Sequence, residues 1–265
     1  MRFSRETYMV RGLLSMSVMR VSYVAYALLF GACGSPSSSD STVTRTEYDD
    51  VAHSVGTSTA SNGGDVKAMA DVVVMADGTL PLGYTAATGG EVSGSLLGID
   101  YNFKLVCRTR DGATLPVCNT TADLADVSIA WGGTLALPNF TTTMDRDGQW
   151  SLANIQEPSV KLAGNGTFSY DSSITNPTTA ITNAYHFDYD AAYMSVFIDK
   201  ASRLATAGEI EYDIQVAQSV TSEADRLFSV AADVHFHGDG TASLALDGTY
   251  DYTLDLTTGV VTSAN

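Results

Sequence analysis

Two imidazoles flank one ring in His235-Phe236-His237. Side chains alternate along an extended strand, so both imidazoles leave by the same face, as Zn²⁺ or Cu²⁺ ligands would. Asp233 and Asp239 are close in sequence, and His186, with Asp188 two residues on, offers a third ring. A tight site needs three or four ligands, and His186, His235, His237 and Asp239 are the candidate set for a divalent metal ion. The competing reading is an exposed, hydrogen-bonding strand face with no cofactor.

Carboxylates raise a second kind of chemistry. Glu209, Glu211 and Asp213 share one face of a strand, with neighbours about 7 Å apart. Pairs at such distances can serve glycoside hydrolysis. Nothing in the sequence marks a cleft around them, and a solvated face accounts for them equally well. Asp145-Arg146-Asp147-Gly148 starts like a calcium loop but lacks the further ligand positions and the closing glutamate. A hairpin turn explains it better. Trp131, Trp150 and the 13 tyrosines are able to stack on sugars, although aromatic residues in strands more often fill cores. The chain holds no Gly-x-Ser-x-Gly elbow, phosphate-binding loop or His-Glu-x-x-His helix. No catalytic residue is assigned, and a non-catalytic role is favoured.

The elements that carry these residues have a period of two. In Glu209–Gln218, Ile210, Tyr212, Ile214 and Val216 point one way and Glu209, Glu211, Asp213 and Gln215 the other. Phe228, Val230, Ala232, Val234 and Phe236 continue the pattern, as do Ala242, Leu244 and Leu246, and then Tyr250, Tyr252, Leu254 and Leu256. One apolar and one polar face per strand is the signature of antiparallel sheet with one side wet. Side-chain phase predicts a three-residue loop at Gly238-Asp239-Gly240, with Phe236 opposite Ala242. The same arithmetic predicts loops at Gly164-Asn165-Gly166, at Thr257-Thr258-Gly259 with Leu256 opposite Val260, and at Arg146-Asp147-Gly148. Around Asp247-Gly248, Leu246 and Tyr250 require a less usual loop.

No convincing amphipathic helix is available to cover the apolar face. The expected fold is all-β: an antiparallel meander closed into a barrel-like or curled sheet, with a β-sandwich as the alternative. Turn signals every 8–12 residues suggest roughly ten or more strands. The alternation would also suit an integral outer-membrane barrel. A lipid anchor would be redundant there, and the C-terminal Val260–Asn265 lacks an aromatic ending.

Cys107 and Cys118 bracket Asp111-Gly112, a hairpin signal that brings the ends of the segment together. With no Cys-x-x-Cys spacing, a structural disulfide is expected rather than a redox pair.

The N-terminus reads as a targeting segment. Arg2, Arg5, Arg11 and Arg20 stand against the single acid Glu6, and Val21–Ala32 carries no charge. Those twelve residues are short of the about 20 that span a bilayer. Phe30-Gly31-Ala32-Cys33 resembles the lipobox of bacterial lipoprotein precursors, with phenylalanine where leucine is preferred. The resemblance implies that residues 1–32 are a signal peptide and that Cys33 is lipidated after cleavage. By family habit Gly34, with no aspartate there, points to the outer membrane. An ordinary secretory signal is the competing reading.

Cleavage would remove 4 of the 14 basic residues and 1 of the 30 acids, leaving a charge of −19. Such a surface repels phosphate backbones, which argues against a nucleic-acid partner. Residues 33–64 read as the lipidated cysteine and a flexible Ser/Thr-rich tether, since 13 of the 31 residues from Gly34 to Gly64 are Ser or Thr. Residues 65–265 form one all-β domain. The expectation is therefore a lipid-anchored envelope protein with a non-catalytic binding or structural role, whose partner is the membrane and an unidentified envelope protein or glycan. The alternatives are a lipocalin-like carrier of an apolar ligand and a metal-dependent or carbohydrate-active enzyme.

Overall fold

A computed structural model describes residues 42–96, 98–137, 140–175, 181–221 and 224–264. Residues 1–32, expected to be a signal peptide, and Cys33, expected to carry lipid, lie outside the described residues. Twelve strands form one antiparallel sheet in sequence order. They are β1 (Tyr84–Ala86), β2 (Glu91–Leu96), β3 (Ile99–Arg108), β4 (Leu124–Leu137), β5 (Phe140–Ala153) and β6 (Ser159–Thr175), followed by β7 (Thr182–Asp199), β8 (Ala205–Val220), β9 (Arg226–Phe236), β10 (Thr241–Leu246), β11 (Tyr250–Asp255) and β12 (Val261–Ser263). Among the described residues β1 and β12 do not pair, so the sheet is a curled meander and not a closed barrel.

The period of two holds along the strands. On β8, Ile210, Tyr212, Ile214 and Val216 are buried while Glu211, Asp213 and Gln215 are exposed. What covers the buried face differs from expectation. Two helices, α1 (Arg45–Thr59) and α2 (Asp65–Ala76), lie on it, α1 over β9–β12 and α2 against β3 and β7. The flexible stretch expected from 33 to 64 thus contains a packed helix. Thr44 and Glu47 form a reciprocal capping box at its start. Val51, Ala52 and Val55 are completely buried by it. The high Ser/Thr content conceals this helix because its buried stripe is narrow and made of small residues. Helix α2 escapes notice for the opposite reason. Ten of its residues are buried, among them Val66, Met69, Val72 and Val73, so no polar stripe shows a helical period.

The turns divide in the same way between local and distant causes. Gly238-Asp239-Gly240 is the expected loop, with Phe236 opposite Ala242 and His237 N–H donating to the Thr241 carbonyl. At Asp247-Gly248, Leu246 does face Tyr250, and Asp247 and Gly248 take φ of 49° and 59°. The other three expected turns are corrected. Arg146-Asp147-Gly148 lies inside β5, where Asp147 pairs with Ala130 on one side and Thr167 on the other. A Cβ on Gly148 would sit 2.9 Å from Ile129 Cγ1 and 3.0 Å from the Asn165 carbonyl, so a larger residue there would force its neighbours to shift. Gly164-Asn165-Gly166 lies inside β6, at a bulge that admits Trp150, and a Cβ on Gly164 would come within 2.1 Å of the Gln149 carbonyl. After β11 the loop is one residue longer than expected. Leu254 faces Val261, and Leu256 is buried instead of pairing with Val260.

Cys107 and Cys118 are joined by a disulfide across the Asp111-Gly112 turn.

Candidate functional site

Tyrosines on the apolar face of the sheet reach the polar groups of α1. Tyr252 donates to Asp49 (2.8 Å), Tyr185 to Asp50 (2.9 Å) and Tyr189 to Ser54 (2.6 Å). Burial, and then the hydrogen bond to a carboxylate, push the phenols of Tyr185 and Tyr252 up to about 12. These bonds set α1 at a fixed height above the strands. A cleft of about 420 Å³ remains between the helix and β4–β7. Asp50, His53, Ser54 and Thr57 line its helical side, with Asn62–Gly64 of the α1–α2 turn. Trp131, Phe168, Tyr170, Tyr185 and Phe187 line its sheet side. The volume and the aromatic lining are those of a small-molecule site.

Arg146 also lines the cleft, although it occupies an apolar position of β5, in phase with Met144 and Trp150. Its side chain is 2 % exposed and forms an ion pair with Asp65 at the head of α2. Tyr193 and Tyr212 donate to Asp65 Oδ2 at 2.7 and 2.9 Å, and Arg146 Nη2 donates to the Tyr193 hydroxyl. Thr59 meets Tyr212 at 3.2 Å. Burial lowers the affinity of Arg146 for its proton, but the Asp65 charge and the two tyrosines outweigh it, and its pKa stands above the ordinary value. Burial drives the phenols of Tyr193 and Tyr212 well above their usual range. The guanidinium carbon lies 4.8 Å from the Trp131 ring and 5.3 Å from that of Phe168. Sequence reasoning missed this group; its one signal is an arginine in apolar phase on a strand.

No known protein family, curated protein or solved structure matches the chain. The site is therefore read from its own geometry.

The four residues named as metal ligands are not brought together. His186 pairs with Ala217 of β8 and His235 with Glu209, eight positions apart, or roughly 26 Å along the strand. His186 sits instead between Asp171 (2.8 Å) and Asp188 (2.9 Å). The bond to Asp171 and then that to Asp188 outweigh the effect of burial and raise its pKa. His235 approaches Glu209 at 3.5 Å. Asp239 receives the Thr241 N–H and hydroxyl, which hold its carboxyl below the usual range. His235 and His237 do share one exposed face about the buried Phe236, but the strand register keeps His186 far from them. Glu209, Glu211 and Asp233 do converge on the outer face, with carboxylate oxygens within 4.8 Å of one another. Nearby, a solvent-open depression of about 600 Å³ is lined by Asp147, Asp190, Glu211, Asp213 and Asp233. Tyr212 is the one aromatic residue of its lining and is itself buried, against five in the inner cleft, which is the stronger binding candidate.

Proposed function

We propose that this chain is a lipid-anchored envelope protein that binds a small, apolar-bodied ligand without catalysis. The observation that carries the binding role is the 420 Å³ aromatic cleft between α1 and β4–β7. Its walls present apolar area to a ligand, and its helical rim presents hydroxyls and amides that orient one. The anchor rests on Cys33 and the residues before it.

Binding is tested with N-phenyl-1-naphthylamine, an uncharged dye that fluoresces in apolar sites. The full chain enhances its emission, and Thr57→Trp, which fills the cleft from the helical side, abolishes the effect. No enhancement, or an enhancement that Thr57→Trp leaves intact, sinks the reading. The anchor is tested by labelled palmitate with and without globomycin. Label is expected on the wild type and absent from Cys33→Ser, and an unlabelled wild type removes the anchor from the proposal.

A further inference from the structure

The acids around α1 come with cations, except for one. Asp49 pairs with Arg45, Glu47 with Arg226, and Asp65, at the head of α2, with Arg146. No lysine or arginine among the described residues forms an ion pair with Asp50. Asp50 accepts a hydrogen bond from the Tyr185 hydroxyl, which leaves its charge in place. It is half-buried and lines the cleft, so that charge borders a space where its neighbours border a partner. The ring of Tyr185 lies 5.8 Å from that of Phe187 between centroids, and Phe187 lies 6.0 Å from Tyr170. All three rings line the same cleft, and Tyr170 and Tyr185 are themselves only half-buried. A row of aromatic rings therefore begins at an unmatched carboxylate.

Charge and ring chemistry select the same class of ligand. With Arg146 matched by Asp65, the charge left over in the cleft is the negative one of Asp50. A carboxylate or phosphate brought there would meet repulsion and no free cation. An uncharged ligand would gain the apolar walls and leave the carboxylate as it is. An ammonium group would meet the opposite charge of Asp50 and, on its other sides, aromatic rings whose faces attract cations, both strengthened where water is partly excluded. His53 adds a positive charge to the lining only when protonated, which would work against a cation at low pH. Resting on the binding role above, we propose that the cleft takes a small organic ammonium ion, its charged head beside Asp50 and the Tyr185 ring and its apolar body along Phe187, Tyr170 and Phe168.

The test is a head-group series on the full chain at pH 8, with octylammonium, octanamide, octanoate and pentylbenzene titrated by calorimetry. Octylammonium is expected to bind at least about tenfold more tightly than octanamide or octanoate, the discrimination that a partly desolvated contact with one carboxylate and one ring supplies. In Asp50→Asn, which keeps an oxygen for Tyr185, the ammonium loses that advantage while pentylbenzene binding persists. Asp49→Asn removes an equal charge one residue away, from an acid that pairs with Arg45 and does not line the cleft, and leaves the preference intact. Octanamide or octanoate binding as tightly as octylammonium overturns the proposal. So does a preference that survives Asp50→Asn, or one that falls equally in Asp49→Asn, the mark of a diffuse acidic surface. If Asp50→Asn does not fold, the wild-type series decides, together with displacement of N-phenyl-1-naphthylamine by octylammonium. Binding of all four probes without discrimination removes the head-group assignment and leaves the apolar cleft. Binding of none removes the cleft reading and this inference with it.

Discussion

The guanidinium of Arg146 on β5 and the carboxylate of Asp65 at the head of α2 meet in an ion pair, their side chains 2 % and 0 % exposed. It joins the helical cover to the middle of the sheet. Removing one partner leaves the other charged and buried. Arg146→Met is expected to cost about 3–5 kcal/mol in urea unfolding, while adding Asp65→Asn to the same chain recovers much of the loss. Equal losses in the single and double variants would show that the pair is not the source.

Gly56 of α1 sets two rules against each other. Alanine is the better helix former by about 1 kcal/mol. A Cβ at Gly56, however, would lie 2.5 Å from the Gly259 carbonyl and 2.8 Å from Val261 Cγ1. Backbone contact decides the sign, and Gly56→Ala is expected to destabilise by about 1–3 kcal/mol. A higher melting temperature for the variant would refute the close docking of α1 on the turn before β12.

His186 supplies a pH-dependent term. Its pKa is raised in the folded state, by Asp171 first and then Asp188. The stabilisation is therefore full below the unfolded-state pKa and is lost as pH rises through the folded-state value. Comparing wild type with His186→Gln, the difference in melting temperature should be larger at pH 5.5 than at pH 8.5. A proton NMR titration placing the ring at or below its ordinary value would contradict the arrangement.

The Cys107–Cys118 bridge spans a sequence separation of 11. Closing so short a loop contributes about 2–3 kcal/mol in the chain-entropy picture. Reduction with dithiothreitol should lower the urea midpoint by the corresponding amount, and Cys107→Ala with Cys118→Ala should make the midpoint insensitive to reductant. An unchanged midpoint on complete reduction would mean that the hairpin around Asp111-Gly112 holds as well without its bridge.

Much of the fold is legible along the chain, and the candidate site is not. Alternation in Glu209–Gln218 and in the strands after it marks which side chains face inward, because a strand's two faces are set by backbone geometry. The Gly238-Asp239-Gly240 loop and the Cys107–Cys118 hairpin are equally local, since a few neighbouring residues suffice to build them. Asp147-Gly148 carries the same turn signal as Asp111-Gly112, yet one lies inside β5 and the other turns a hairpin. Pairing with β4 on one side and β6 on the other holds Asp147-Gly148 extended, and the residues of β5 by themselves carry no trace of those neighbours.

Local pattern thus accounts for an antiparallel meander with one face to hide, for its acidic outer surface and for its disulfide. Long-range packing settles the rest: that α1 and α2 cover the hidden face, that His186 and His235 stand far apart, and that Arg146 meets Asp65 beneath an aromatic cleft. The reason is that dihedral preference and side-chain period act over a few residues. Burial of a charge, or the space left between a helix and a sheet, depends on groups the chain brings together only when it folds.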